Sequence, residues 1–316
     1  MQKLTLQAGN EGKSLRDGFK EFIQTKTLLG LAPETITTYQ NVYRFLSDYI
    51  KEDTLCSDIT NDTILGFIQY HKDRNPNISN ITINSYIRNS RAILYFFMER
   101  GYMPQFKIKI IKCEKPIKEV YTDHEIQLLT AKPDIKRCSF AEYRNWVMVC
   151  YMLGTANRVK TICNIRIGDI DFDNEEIQLS TVKNKRAYIV PLSPTLSKIL
   201  KEYLTYRKGT ADDWLFCNQF GKQMCKDAVT AAIRTYNHKR GVSKTSSHLF
   251  RHTFAKNWIL SGGDPFRLQK ILGHRSFDMV REYVEMYGND LKLNYAQFNA
   301  LDQKVQMTGH IKMGKK

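Results

Sequence analysis

Apolar residues recur at helical spacing through the first third of the chain. Phe19, Phe22 and Ile23 follow Ser14, and Ile36, Tyr39, Val42, Tyr43, Leu46 and Ile50 follow Ala32-Pro33-Glu34. Ile64, Leu65, Phe67 and Ile68 follow Thr60-Asn61-Asp62, while Ile83, Tyr86, Ile87, Ile93, Leu94, Phe97 and Met98 follow Ser79-Asn80. Ser14, the Thr60 triplet and Ser79 supply capping side chains, and Pro33 falls near the first helical position, where its missing N–H costs nothing. Gly101 stops the last run. Four helices with short connectors predict a small bundle over residues 14–103.

The period changes after that glycine. Residues 104–119 contain Pro104 and Pro116 and carry Lys107, Lys109, Lys112, Lys115 and Lys118. The alternation Phe106-Lys107-Ile108-Lys109-Ile110 suits either a short strand or an extended linker lying along a polyanion, and the domain boundary is placed here. A second domain is expected over residues 120–301. It opens with a capping-box pattern, Thr122-Asp123-His124-Glu125, and continues into an apolar helix at 143–153 that runs into Gly154-Thr155-Ala156-Asn157-Arg158. Three segments have strand character, 165–172, 176–180 and 186–190, with a turn at Asp173-Asn174 and a basic hairpin tip at Val182-Lys183-Asn184-Lys185.

Helices are expected again at 193–206 and 226–239, with Trp214-Leu215-Phe216 a short strand or turn between them. Near the end, Leu291, Leu293, Tyr295, Phe298 and Leu301 make the apolar stripe of a short terminal helix, and residues 1–13 and 302–316 are tails. The pattern predicts a mainly α protein with a small antiparallel β-sheet: a helical N-terminal bundle followed by a mixed α/β domain.

Charge narrows the partner. Across 316 residues, 48 Lys and Arg stand against 32 Asp and Glu, a formal charge of +16, which points to nucleic acid ahead of an anionic membrane surface. Lys26, Thr27, Thr35, Thr37, Thr38, Arg44, Asn84, Arg88 and Arg91 lie off the apolar stripes of the first domain and are read together as a phosphate-contacting face. No long apolar run or signal-peptide core is present, so a cytoplasmic protein without a membrane partner is expected. Seven scattered cysteines, with no C-x-x-C pair, suggest neither a disulfide framework nor a zinc site.

Chemistry concentrates in residues 248–283. His248-Leu249-Phe250-Arg251-His252-Thr253-Phe254-Ala255 leads into an apolar helix, Gly262-Gly263-Asp264-Pro265 breaks it, and Leu272-Gly273-His274 precedes Tyr283. A nucleophile, imidazoles and a guanidinium in one span suit phosphoryl transfer without a metal. His248 and His252 have the spacing of an H-E-x-x-H zinc protease, but Leu249 occupies the place of its glutamate. His252 is read as a packed or backbone-bonded histidine, and Tyr287 as a structural neighbour of Tyr283.

The ordered set His248-x-x-Arg251-His252-Thr253-Phe254-Ala255, Leu272-Gly273-His274 and Tyr283 resembles the C-terminal signature of the tyrosine recombinases of the phage integrase family. The Arg158 turn and the Lys183 hairpin ahead of Val190-Pro191-Leu192 occur upstream in the order that family uses, and the resemblance covers residues 14–300. It implies a helical core-binding domain, a tyrosine-recombinase catalytic domain, and a site-specific recombinase that works through a 3′-phosphotyrosyl intermediate and a Holliday junction. Tyr283 would be the nucleophile, Arg158 and Arg251 the clamp on the non-bridging oxygens, and Lys183 the general acid. His248 would handle the proton, and His274 would hydrogen-bond near the scissile phosphate. No cofactor or metal is implied.

The resemblance also implies a homotetramer on DNA in which the C-terminal helix is exchanged between protomers. A type IB topoisomerase-like enzyme and a non-catalytic DNA-binding protein of the same fold are the alternatives. Two positions depart from the pattern: many members carry an acid three places after the first arginine and a glycine two places before it, where this chain has Thr161 and Ala156. The thirteen residues ahead of Ser14 are too few for an arm-site domain, which points to a simpler recombinase.

Overall fold

The computed structural model describes residues 12–113, 118–179, 188–274 and 276–288, together with Tyr295 and Asn299. The chain divides between Pro116 and Ile117 into two compact units. It is mainly α-helical, with one three-stranded antiparallel sheet.

The first unit holds α1 (Leu15–Leu28), α2 (Pro33–Ser47), α3 (Asn61–Arg74) and α4 (Asn80–Glu99). Local chemistry sets their starts. Ser14 accepts the Asp17 N–H at 3.1 Å, Ser79 accepts the Thr82 N–H at 3.1 Å, and Thr60 and Thr63 form a reciprocal box. Leu15, Phe22, Leu46, Phe67, Ile83 and Phe97 from the four helices are fully buried in one core.

One open alternative closes in this unit and one expectation changes. Residues 104–113 form no strand, because side chains of α4 take the backbone groups a ladder would need. The Ile111 N–H and C=O both bond Asn84, each at 2.8 Å, the Ile108 N–H reaches the Tyr95 hydroxyl at 3.4 Å, and Arg91 donates to the Ile108 carbonyl. For the same reason Asn84 and Arg91 do not belong to an open phosphate-contacting face: Asn84 is fully buried and Arg91 is turned onto the chain. The Thr27, Thr37 and Thr38 hydroxyls bond carbonyls one turn back on their own helices, while Arg44 and Arg88 are exposed.

The second unit is built around α6 (Phe140–Thr155), whose residues from Tyr143 to Met152 are almost all buried. Packed on it are α5 (Asp123–Thr130), opened by the Thr122/Glu125 capping box, α8 (Pro194–Arg207), α9 (Lys226–Lys239) and α10 (Ser247–Leu260). From Trp146 to Met152 the helix is enclosed on every side and has no polar face to keep, which is why that stretch is apolar all round. The sheet comprises β1 (Ile170–Asp171), β2 (Glu176–Leu179) and β3 (Tyr188–Pro191), in that order. Ile177 pairs with Ile170 on one side and Val190 on the other, so that all three point into the core.

The strand expected over 165–172 shrinks to two residues. Residues Ile167–Asp169 make a 3-10 turn, and the backbone of Ile165 and Ile167 pairs instead with Leu215 and Asp213 at 2.9 Å each. The hairpin tip with Lys183 lies outside the described residues, as does the C-terminal helix apart from Tyr295 and Asn299. Three further helices carry the chemistry: α7 (Val159–Asn164), α11 (Pro265–Leu272) and α12 (Asp278–Tyr287). Among the described residues no helix is long and apolar enough to cross a membrane.

Candidate active site

Three helices in succession bring the site together. α10 carries His248, Arg251 and His252, α11 ends at the His274 turn, and α12 lays Tyr283 back over α10. Asp264 caps α11 by accepting the Arg267 N–H at 2.7 Å, with Pro265 at the first helical position. Gly273 closes it in a left-handed conformation, φ 59°, which only glycine adopts without cost. Beneath these helices a small second core of Ala156, Ala255, Ile259, Leu268, Leu272 and Val280 includes the ring of Tyr283 itself.

Arg251 is 6% exposed and ties two turns together. Its Nη1 donates to the Ala156 carbonyl at 3.0 Å, and its Nη2 donates to the Leu272 carbonyl and to His274 Nε2, the latter at 2.7 Å. Burial, and then the nearby charge of Arg158, bring the guanidinium down to about 10, so it keeps its proton at neutral pH. Ala156 itself is left-handed, φ 54°. A glycine would rest there without strain, and an alanine is held at a cost of about 1–2 kcal/mol. The next helical start, α7, has Arg158 as its exposed N-terminal cap residue.

Since a guanidinium has no acceptor, His274 Nε2 must be unprotonated and its proton must sit on Nδ1. That Nδ1 is buried and has no partner among the described residues. Burial, followed by the charges of Arg251 and Arg158, lowers His274 to about 4. Tyr283 is 1% exposed, and its hydroxyl lies 2.6 Å from His252 Nδ1. Burial pushes the phenol up to about 12 and brings His252 down to about 4, helped there by Lys118, His248 and Arg251. A neutral imidazole thus faces a neutral phenol. His248 is exposed in the first turn of α10.

Sequence reasoning missed two members of this cluster. His252, read as packing, touches the phenolic oxygen. Lys118, read as a linker cation, has its Nζ 4.2 Å from the centre of the Tyr283 ring and 2.7 Å from Glu282 Oε2. Its carbonyl accepts the Tyr287 hydroxyl at 3.3 Å. Nothing in the local sequence signals either contact, because both depend on α12 folding back.

The two depressed imidazoles predict how stability responds to acid. The unfolded chain takes protons on these side chains below about 6.5, whereas the folded unit takes them only near 4. Stability is therefore full above about 6.5 and is lost as pH falls toward 4. In denaturant titrations across that window, His274→Asn should flatten the slope by about one proton. An unchanged slope would refute the neutral assignment of His274.

Comparison with known proteins places this geometry. Residues 119–289 match the phage integrase family and residues 14–113 match the phage integrase SAM-like domain. Tyrosine recombinase XerD of Oceanobacillus iheyensis is 24% identical over 284 residues, covering 85% of this chain and 93% of that protein. Tyrosine recombinase XerC of Roseiflexus castenholzii is 22% identical over 268 residues, covering 81% and 84%. Among solved structures, the Tn1549 transposon integrase in complex with transposon right end DNA has a TM-score of 0.68 at 18% identity, covering 86% of this chain and 94% of that one. A lambda integrase dimer bound to a COC′ core site has a TM-score of 0.70 at 14% identity, covering 88% and 98%. With more than half its length matched by one family and the Tyr283, Arg251 and His274 cluster on that matched part, this chain belongs to the phage integrase family.

Proposed function

We infer that this protein is a site-specific DNA recombinase, an enzyme that cuts duplex DNA by forming a 3′-phosphotyrosyl bond and rejoins it to a different strand through a Holliday junction. The observation that carries this reading is the convergence of three groups: Arg251 bonds His274 Nε2, its charge acts on the buried Tyr283 phenol, and Arg158 is close enough for its own charge to lower both Arg251 and His274. The relatives bearing the recombinase name, and the excess of cationic residues, support DNA as the substrate.

In this mechanism the Tyr283 oxygen attacks phosphorus and its proton passes to a neighbouring imidazole, His248 or His252. Arg158 and Arg251 hold the non-bridging oxygens as the pentavalent charge develops, a task for planar, permanently charged guanidinium groups. His274 offers its Nδ1–H to the same phosphate. Lys183 protonates the departing 5′-oxygen. The phosphotyrosyl bond conserves the energy of the diester, so the attacking 5′-hydroxyl of another strand can reverse the step with neither cofactor nor metal.

The test uses a duplex that the protein itself selects from a random-sequence library, nicked just 3′ of the cleavage position so that the short fragment released with the 5′-hydroxyl diffuses away. A protein–DNA adduct that survives denaturation is expected, and its absence on every selected duplex would reject the reading. The active assembly is proposed to be a cytoplasmic tetramer on DNA, with residues 289–301 exchanged between protomers as a helix filling a neighbour's groove. Truncation after Gly288 should abolish DNA-bridged assembly while single-duplex binding stays within about twofold, since groove-filling is separate from phosphate contact. Normal bridging by the truncated chain would remove the exchange from the scheme.

A further inference from the structure

Two turns supply the anion-binding groups: residues 155–158, ending in Arg158, and residues 272–274, ending in His274. Arg251 bonds both through the Ala156 and Leu272 carbonyls. A second side chain, from a different element, also reaches both. Tyr188, the first residue of β3, donates its hydroxyl to Asn157 Oδ1 at 3.3 Å and shares a further hydrogen bond with the Thr161 side chain. Its ring lies against the other turn, where a Cβ added to Gly273 would stand 3.6 Å from the Tyr188 Cζ.

The hydroxyl bonds continue into the core. Asn157 is 4% exposed, its Nδ2 donates to the Tyr151 hydroxyl at 2.9 Å, and its backbone N–H donates to Thr155 Oγ1 at 3.3 Å. Thr155 Oγ1 in turn donates to the Tyr151 carbonyl at 2.7 Å. Every link is neutral. A carboxylate at position 161 would place a negative charge beside Arg158 and offset part of the field meant for phosphate. A phenol bonded to Thr161 and Asn157 fixes the same loop and leaves that field whole.

We propose that Tyr188 is a positioning residue for the phosphate site, setting the distance between the Arg158 turn and the His274 turn through its hydroxyl on Asn157 and Thr161 and its ring on Gly273. This rests on the recombinase reading of the site. Tyr188 touches no reacting atom. Its contribution is the placement of groups that do, and small misplacements of such groups are expensive in rate.

The experiment compares wild type, Tyr188→Phe, Thr161→Val and the double variant in single-turnover cleavage of the selected, nicked duplex, with duplex affinity measured in parallel. Tyr188→Phe keeps the ring and loses only the hydroxyl. Cleavage at saturating DNA should fall about 10- to 100-fold, with affinity within about twofold, since phosphate contacts elsewhere dominate it. Thr161→Val should show a smaller loss of the same kind, and the double variant should be no slower than Tyr188→Phe, because the shared bond is already gone. Thr161→Val is near isosteric, so it decides the matter if Tyr188→Phe folds poorly. Wild-type cleavage rates in both single variants, or parallel losses in affinity and cleavage, would overturn the proposal. No adduct even with wild type would take down the recombinase reading and the proposal with it.

Discussion

Tyr283→Phe should bind the selected duplex as wild type does and form no covalent adduct with it. The substitution removes one oxygen and little else. The phenylalanine ring keeps its place among Ala255, Leu272 and Val280 and its contact with the Lys118 ammonium, 4.2 Å from the ring centre. His252 Nδ1 loses its partner at 2.6 Å, a change of about 1 kcal/mol for a hydrogen bond of this kind. Folding and affinity therefore persist while chemistry stops, because no other described hydroxyl occupies that place. An adduct formed by the Phe variant would show that another residue attacks phosphorus. The burial of the wild-type ring adds a kinetic expectation. If Tyr283 is the nucleophile, a side chain 1% exposed and bonded through its hydroxyl to His252 requires a shift of α12 before attack.

How much of this was readable beforehand depends on the range of the interaction. Helix starts rest on contacts three residues apart, and Ser14, Ser79 and Thr122 each cap the helix that the pattern assigned them. The hydrophobic period likewise marked the largely buried α6 and the four-helix unit. Asn84 shows where such reasoning stops: a polar residue beside an apolar stripe looks solvated, and only its backbone partner 27 residues on reveals a buried anchor. Ala156 is similar. Nothing in Gly154-Thr155-Ala156 favours alanine over glycine at the left-handed position, since the turn is held by Arg251, 95 residues away in sequence. The family's chemistry-bearing positions could be picked out as an ordered set. That His252 and Lys118 would meet Tyr283 could not, because α12 has to fold over α10 before those groups are neighbours.

Arg251 carries the largest combined effect on fold and chemistry. Replacing it with alanine leaves the Ala156 and Leu272 carbonyls without their buried donor, and each such orphan costs about 1–3 kcal/mol. The strained left-handed turn at Ala156 loses the bond that holds it, and with it Arg158 loses its fixed position. A catalytic unit destabilised by about 3 kcal/mol or more is the expected result in urea titration. Arg251→Lys separates charge from geometry. An ammonium preserves the positive charge but is a single point on a flexible stem, unable to serve the Ala156 carbonyl, the Leu272 carbonyl and His274 Nε2 at once. Single-turnover cleavage by the lysine variant should fall about 10²–10³-fold, the range seen when one aligned donor to a developing oxyanion is removed. Duplex affinity should change far less. Cleavage within about tenfold of wild type would mean that charge alone suffices, since a point charge is all that lysine retains, and the planar bridge between the two turns would then have no catalytic weight.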